Sequence, residues 1–175
     1  MASTHTISRR EATFMDCALQ EAEKSPCLFR HGAVAVVNGR ILARGHNTYR
    51  THSRDKFIRN CCTCHAEIDV LRQVYNRNNP THSPLHCDHL PRKARAELRK
   101  VVLYVTRQAS QDTMKPSAPC TECMKLIRSL NIKRIVYSDY NMTIIATTPA
   151  NFTPTHRTHG YNHLERRVYK PEIHK

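Results

Sequence analysis

The chain has 175 residues, enough for one domain with a real core, and no apolar run approaches the roughly 20 residues of a membrane helix, so a helical membrane span is excluded. The formal charge of +14 exceeds what a small anionic substrate needs and keeps nucleic acid in view as a partner. Against a polymer-binding stripe, basic residues are scattered from Arg9 to Lys175, Trp is absent, and only seven Tyr and four Phe are available to stack on bases.

In chain order, residues 1–8 read as a disordered tip. Ser8 and Glu11 then form an S-x-x-E capping box, opening an amphipathic helix whose Phe14, Met15, Ala18, Leu19 and Ala22 recur at helical spacing. That stripe is core, and Cys17 beside it reads as a small buried apolar group. The helix ends near Lys24 to Pro26. A strand is predicted from Ala33 to Val37, a two-residue turn at Asn38-Gly39, and a returning strand from Ile41 to Arg44. Asn47 follows the hairpin and suits a loop-stabilising turn. The segment Arg50 to Asn60 carries Arg50, Arg54, Lys56 and Arg59; such cations could clamp a 5′-phosphate, although a solvated loop needs no such purpose.

From His65 the pattern turns helical, with Ile68, Leu71 and Val74 or Tyr75 on the apolar face, and it breaks from Asn76 to Pro84. Arg92 to Lys100 reads as a short basic surface helix. Val101 to Thr106 is a buried strand, and Ser110 to Ala118 a polar stretch at a pocket rim. Met124, Leu126, Ile127 and Leu130 form the buried face of a helix, and Arg134 to Ser138 the next strand. Strand, helix and strand at this length imply a right-handed parallel crossover. Met142 to Ala146 is a short apolar patch in a partly ordered tail, within which Tyr161 to Tyr169 is a candidate terminal helix.

Two stretches carry chemistry: Cys64-His65-Ala66-Glu67 and Pro119-Cys120-Thr121-Glu122-Cys123. Together they offer an imidazole, two thiolates and a carboxylate. Three protein groups from that set can hold zinc while water takes the fourth position. Cys120 and Cys123 fall on one face of a helix, whose N-terminus would favour thiolates, with Pro119 in its first turn. His65 and Glu67, two apart, would diverge by about 200 degrees in a helix, so His65 belongs at the non-helical edge and Glu67 in the first turn. A closed structural zinc knot would instead need a fourth ligand from Cys61, Cys62 or Cys64.

HAE followed by PCxxC resembles the zinc-dependent nucleobase deaminases, and within them the deoxycytidylate (dCMP) deaminase-like branch, over roughly Arg9 to Tyr140. The resemblance implies a three-layer α/β/α cytidine deaminase-like fold with a mixed central sheet, residues 9–140 forming the domain and 141–175 a C-terminal extension. It implies zinc ligation by His65, Cys120 and Cys123, proton transfer by Glu67, and a hydrogen bond from Asn47 to the sugar; Arg54 and Lys56 are the further substrate-binding candidates. The 55 positions from His65 to Cys120 exceed what compact members need, leaving an insertion at 77–100. Its His82, His86, Cys87 and His89, with Cys61 and Cys62, have the chemistry for a second, structural zinc, as some viral members of the branch carry; a His-rich exposed loop explains them equally.

The expected reaction is hydrolytic deamination of a cytosine nucleotide, dCMP to dUMP with release of ammonia, in pyrimidine nucleotide metabolism. Alternatives are a deaminase of bases in RNA or single-stranded DNA, including a transfer-RNA adenosine deaminase type, and a non-catalytic zinc-stabilised module. The family's habit implies a homo-oligomer. Eight cysteines clustered with histidines, and no apolar segment opening the chain, favour a reducing intracellular setting, cytoplasmic rather than membrane-bound.

Overall fold

Asn38 and Gly39 both adopt positive φ, 50° and 74°, which gives the tight turn a right-handed twist matching the flanking strands. The turn joins β1 (Arg30–Val37) to β2 (Arg40–His46) antiparallel, with a register shift between Ala35 and Val36. These elements belong to a computed structural model that describes residues 7–59, 61–79, 84–85, 90–109, 114–158 and 160–161. β1 starts three residues before the predicted Ala33, because Arg30 to Gly32 pair with the far end of β3 (Val102–Gln108).

The remaining described strands are β4 (Met114–Lys115), β5 (Arg134–Ser138) and β6 (Ile144–Thr147), in the order β2-β1-β3-β5-β6 with β4 on β3. β3 and β5 are parallel and the other pairs antiparallel, so the sheet is mixed. The sheet thus continues past Tyr140: the apolar patch Met142 to Ala146 supplies β6, whose Ile145 is buried.

Strand parity sorts the core into two layers. Val34, Val36, Tyr104 and Val136 face α1 (Arg9–Glu23), meeting Phe14, Met15 and Ala18. Ala33, Ala35, Leu103, Val105 and Ile135 face α2 (Ala66–Arg77), α3 (Arg92–Leu98) and α4 (Thr121–Ser129). The result is the expected three-layer α/β/α arrangement. Ser8 and Glu11 close the predicted capping box at the start of α1. Cys17 is half-buried, at the edge of the α1 stripe rather than within it.

α3 is the expected basic surface helix, with Arg92, Lys93, Ala96, Arg99 and Lys100 exposed, but it also has a buried stripe. Ala94 and Leu98 are fully buried against α2, since an alternation of Arg and Lys with Ala and Leu still leaves one apolar stripe.

One close approach fixes how α1 lies on the sheet. A Cβ at Gly32 would stand 2.0 Å from the Ala18 carbonyl oxygen and 2.4 Å from the Ala22 nitrogen, both backbone atoms of α1. Gly32→Ala must therefore lift the helix, and we expect a loss of about 3 kcal/mol in urea unfolding. A loss below about 0.5 kcal/mol, the range of neutral surface changes, would show that α1 does not pack this closely.

Candidate active site

Two helix N-termini deliver the donor atoms. His65 is the N-cap of α2, with extended backbone (φ −78°, ψ 154°), and Glu67 sits in the first turn. The N-cap is held from outside: Cys64 and Thr48 exchange backbone hydrogen bonds of 2.9 and 3.0 Å, tying the exit of β2 to the start of α2. Cys120 is the N-cap of α4, also extended, and Cys123 lies in its first turn. This corrects the expectation that both cysteines are helical and that Pro119 opens the helix; the chain turns at Cys120, and the sulfurs still converge.

His65 Nδ1 lies 3.2 Å from Cys123 Sγ and 3.6 Å from Cys120 Sγ. All three donor atoms fall within 4.8 Å of one another, forming a group that could hold a metal ion. Tetrahedral zinc, with bonds near 2.3 Å to sulfur and 2.05 Å to nitrogen, needs nitrogen and sulfur about 3.5 Å apart, so the donor set fits the ion in chemistry and spacing. Nδ1 is the ring nitrogen that faces the sulfurs.

The thiols divide their protons. A hydrogen bond from Cys123 is the largest influence holding the Cys120 thiol down, to about 4, with burial opposing and His65 assisting. Its bond to Cys120, together with burial, holds Cys123 well above the ordinary range. Burial likewise pushes the Glu67 carboxyl up, partly offset by His65 and reinforced by the charge of Cys120. Glu67 is only 5% exposed and interacts with the Cys123 sulfur.

Cys64 is buried with its thiol raised by desolvation first, and its Sγ lies 3.5 Å from its neighbour's carbonyl oxygen, that of His65. Among the described residues it does not join the donor group. Cys61 Sγ turns to the Thr51 carbonyl at 3.7 Å, and the exposed Cys62 to the Gly160 carbonyl at 3.6 Å. Of the second-zinc candidates, His82, His86, Cys87 and His89 lie outside the described residues.

Asn47 is 8% exposed and does structural work. Its Oδ1 accepts from the His31 backbone N–H (2.8 Å) and the Ser25 hydroxyl (2.7 Å), while its Nδ2 donates to the Phe29 carbonyl (2.8 Å). It locks the segment between α1 and β1 to the end of β2.

Arg54 and Lys56 are exposed, and the residue between them is not. Asp55 is 1% exposed, ion-paired to Arg72 at 2.6 Å, and it accepts from Asn76, Ser53 and the Phe57 N–H at 2.7, 2.5 and 3.3 Å. This clamps the loop against the middle and far end of α2, about 7 to 14 Å along the axis from Glu67 at 1.5 Å per residue. Burial raises the Asp55 carboxyl, but these bonds outweigh it and hold it below 3.8. Its stabilisation is therefore complete above that unfolded value and disappears as pH falls through the lower folded one. We expect Asp55→Ala to cost about 3 kcal/mol at pH 7 and progressively less below about pH 4, measured by denaturant unfolding across pH. A cost that stayed constant into acid would exclude the ionised pair.

The fold brings in residues that local pattern reading passed over. His31 and Arg107 are register partners on β1 and β3, with the same parity as Ala33 and Val105, on the sheet face of the donor group. His31 is held low, to about 4, by burial, with the His65 and Arg107 charges assisting against a hydrogen bond to Phe29. Its Nδ1 lies 3.1 Å from the Phe29 carbonyl, so Nδ1 carries the proton and Nε2 remains an acceptor. Arg107 lies over the Phe29 ring, 4.9 Å from its centroid. Tyr161 stands edge-on to His65, ring centroids 6.4 Å apart.

The family model for the cytidine and deoxycytidylate deaminase zinc-binding region matches residues 8–139. The structure is similar to a cytidine deaminase from Burkholderia pseudomallei, 16% identical over 85% of this chain and 98% of that one, with a TM-score of 0.54, a likeness of fold. It is also similar to a dCMP deaminase from the cyanophage S-TIM5 in apo form, 23% identical over 74% of this chain and 82% of that one, with a TM-score of 0.45. No curated protein sequence matches the chain. No described helix is long and apolar enough to cross a membrane. The matched span runs from the cap of α1 past both halves of the donor group, and on that ground the chain belongs to the zinc-binding cytidine and deoxycytidylate deaminase family of hydrolytic deaminases.

Proposed function

We propose that the protein converts dCMP to dUMP and ammonia, with His65, Cys120 and Cys123 holding zinc and Glu67 moving the protons. The observation that carries this reading is a buried carboxyl, its proton affinity raised by burial, in the first turn of the helix whose N-cap supplies the imidazole donor. A non-catalytic zinc module would have no use for a desolvated acid there, since burying a carboxyl costs stability.

Bound zinc supplies a Lewis acid that makes water nucleophilic near neutral pH. Glu67 takes the proton released as oxygen bonds to C4 of the base and delivers it to N3. It then takes the remaining proton from the new C4 hydroxyl and passes it to the exocyclic amine, so that the C4 carbonyl forms as the C4–N bond breaks and ammonia leaves. The raised carboxyl favours proton uptake, and its hydrogen bond with Cys123 puts it beside the donor group that would hold the ion. Asn47 spends one amide hydrogen on Phe29, which leaves the other for the sugar hydroxyl. Arg54 and Lys56 are the loop cations assigned to the 5′-phosphate, and Arg107 is the cation the fold adds on the site's own face. A structural second zinc at Cys61, Cys62 and the 82–89 histidines and cysteine, assembly as a homo-oligomer and a cytoplasmic setting belong to the same reading.

A polynucleotide substrate is the second reading. It is favoured by Phe29 and Tyr49, 58% and 62% exposed, and by Arg107 stacked on Phe29, a surface suited to bases. Ammonia release by zinc-loaded protein, with dCMP, cytidine, dCTP and a single-stranded oligonucleotide offered side by side, separates the two. Turnover on dCMP above the others supports the proposal; turnover on the polymer alone overturns it.

A further inference from the structure

The segment after β6 runs back along α4 and across its donor end. Near the C-terminus of α4, Arg128 donates to the carbonyls of Pro149 (3.0 Å) and Phe152 (2.5 Å), and Phe152 packs edge-on against Tyr137 on β5, centroids 5.3 Å apart. At the other end the His156 carbonyl accepts from both the N–H and the hydroxyl of Thr121, at 3.1 and 3.0 Å. These satisfy an N-terminal N–H that no side chain caps, since Cys120 is committed to the donor group. Arg157 pairs with Glu122 at 2.8 Å. Beyond it, Gly160 lies against Cys62, where a Cβ would stand 3.2 Å from the Cys62 Cβ, and Tyr161 meets His65 edge to face.

The strap therefore bridges the N-terminal ends of α2 and α4, the two elements that carry the donor atoms. From this course we propose that Tyr161 is a specificity-determining residue: its ring forms the pocket wall on the His65 side, and it admits a mononucleotide while obstructing the flanking residues of a polynucleotide. The inference rests on the deaminase reading and deepens it by naming a residue that selects the substrate class.

Position and consequence are tested separately. The chain has seven tyrosines. With 3-fluorotyrosine incorporated and cobalt(II) in place of zinc, the resonance that vanishes in Tyr161→Phe should carry the largest paramagnetic shift; an unshifted resonance overturns the placement. For specificity, the ratio of kcat/KM on dCMP to kcat/KM on a single-stranded oligonucleotide with one deoxycytidine should fall about tenfold in Tyr161→Ala. It should fall in the same direction in Gly160→Val, which pries the strap from Cys62, and stay near wild type in Tyr161→Phe, which keeps the ring. An active wild type whose ratio Tyr161→Ala and Gly160→Val leave unchanged overturns this inference alone. A zinc-loaded wild type that turns over no cytosine substrate overturns the underlying function instead, and with it the specificity role, whatever the cobalt spectrum shows.

Discussion

Glu67→Gln should leave the protein folded and zinc-loaded and reduce kcat by about 10⁴-fold, the upper end of what positioned acid–base groups contribute. The amide keeps the size of the carboxyl, so the burial that raises Glu67 has a neutral occupant in the variant and no new charge is desolvated. The amide cannot take a proton from water and return it to N3 or to the departing amine. Metal content is the necessary companion measurement, because loss of zinc would mimic loss of the shuttle. Zinc at wild-type stoichiometry with turnover within tenfold of wild type would remove Glu67 from the mechanism.

Cys123→Ala should abolish metal binding and turnover together. Its sulfur lies 3.2 Å from His65 Nδ1 in a residue 1% exposed, so no water-borne ligand replaces it easily. Zinc content should drop below about a tenth of the wild-type value, since a site of two remaining donors holds zinc poorly. The helical circular dichroism should survive, because Met124, Ile127 and Leu130 keep the apolar face of α4 in the core. Acid should weaken wild-type metal binding in the same sense: Cys123 is held as the thiol and must surrender its proton to coordinate, so affinity rises with pH. Equilibrium dialysis against zinc over a pH series reads this, and an affinity independent of pH would mean that both thiols are already ionised.

Both variants act on residues legible in the sequence, for a physical reason. HAE and PCxxC are short because a helix N-terminus presents its cap and first turn within a few residues, so the whole contribution of each element is written locally. The same holds for the Ser8–Glu11 capping box and the Asn38-Gly39 turn, whose hydrogen bonds and dihedral angles are satisfied inside one stretch of chain. The basic surface face of α3 is equally local, while its buried stripe of Ala94 and Leu98, four apart, is hidden in sequence by the charges that outnumber it. At the PCxxC motif the residue types were legible, but the chain's turn at Cys120 was not, since the side chain of an N-cap meets the third helical residue just as two helical residues three apart meet, and the spacing is the same for both.

What the sequence by itself determined is the chemistry: a zinc-binding donor set, an acid beside it, and an α/β/α scaffold implied by family resemblance. The tertiary structure alone decided what surrounds that chemistry. Asn47 is a lock between α1 and β2 because three distant groups converge on its amide, and Asp55 holds its loop because Arg72 and Asn76 reach it from α2. His31 and Arg107 join the site's face through the antiparallel register of β1 and β3, 76 positions apart in sequence. Tyr161 arrives at His65 only because the strap follows α4 back to its N-terminus. Such contacts depend on strand register and on the path of a returning segment. Both are set by the packing of the whole core, and no local spacing records them.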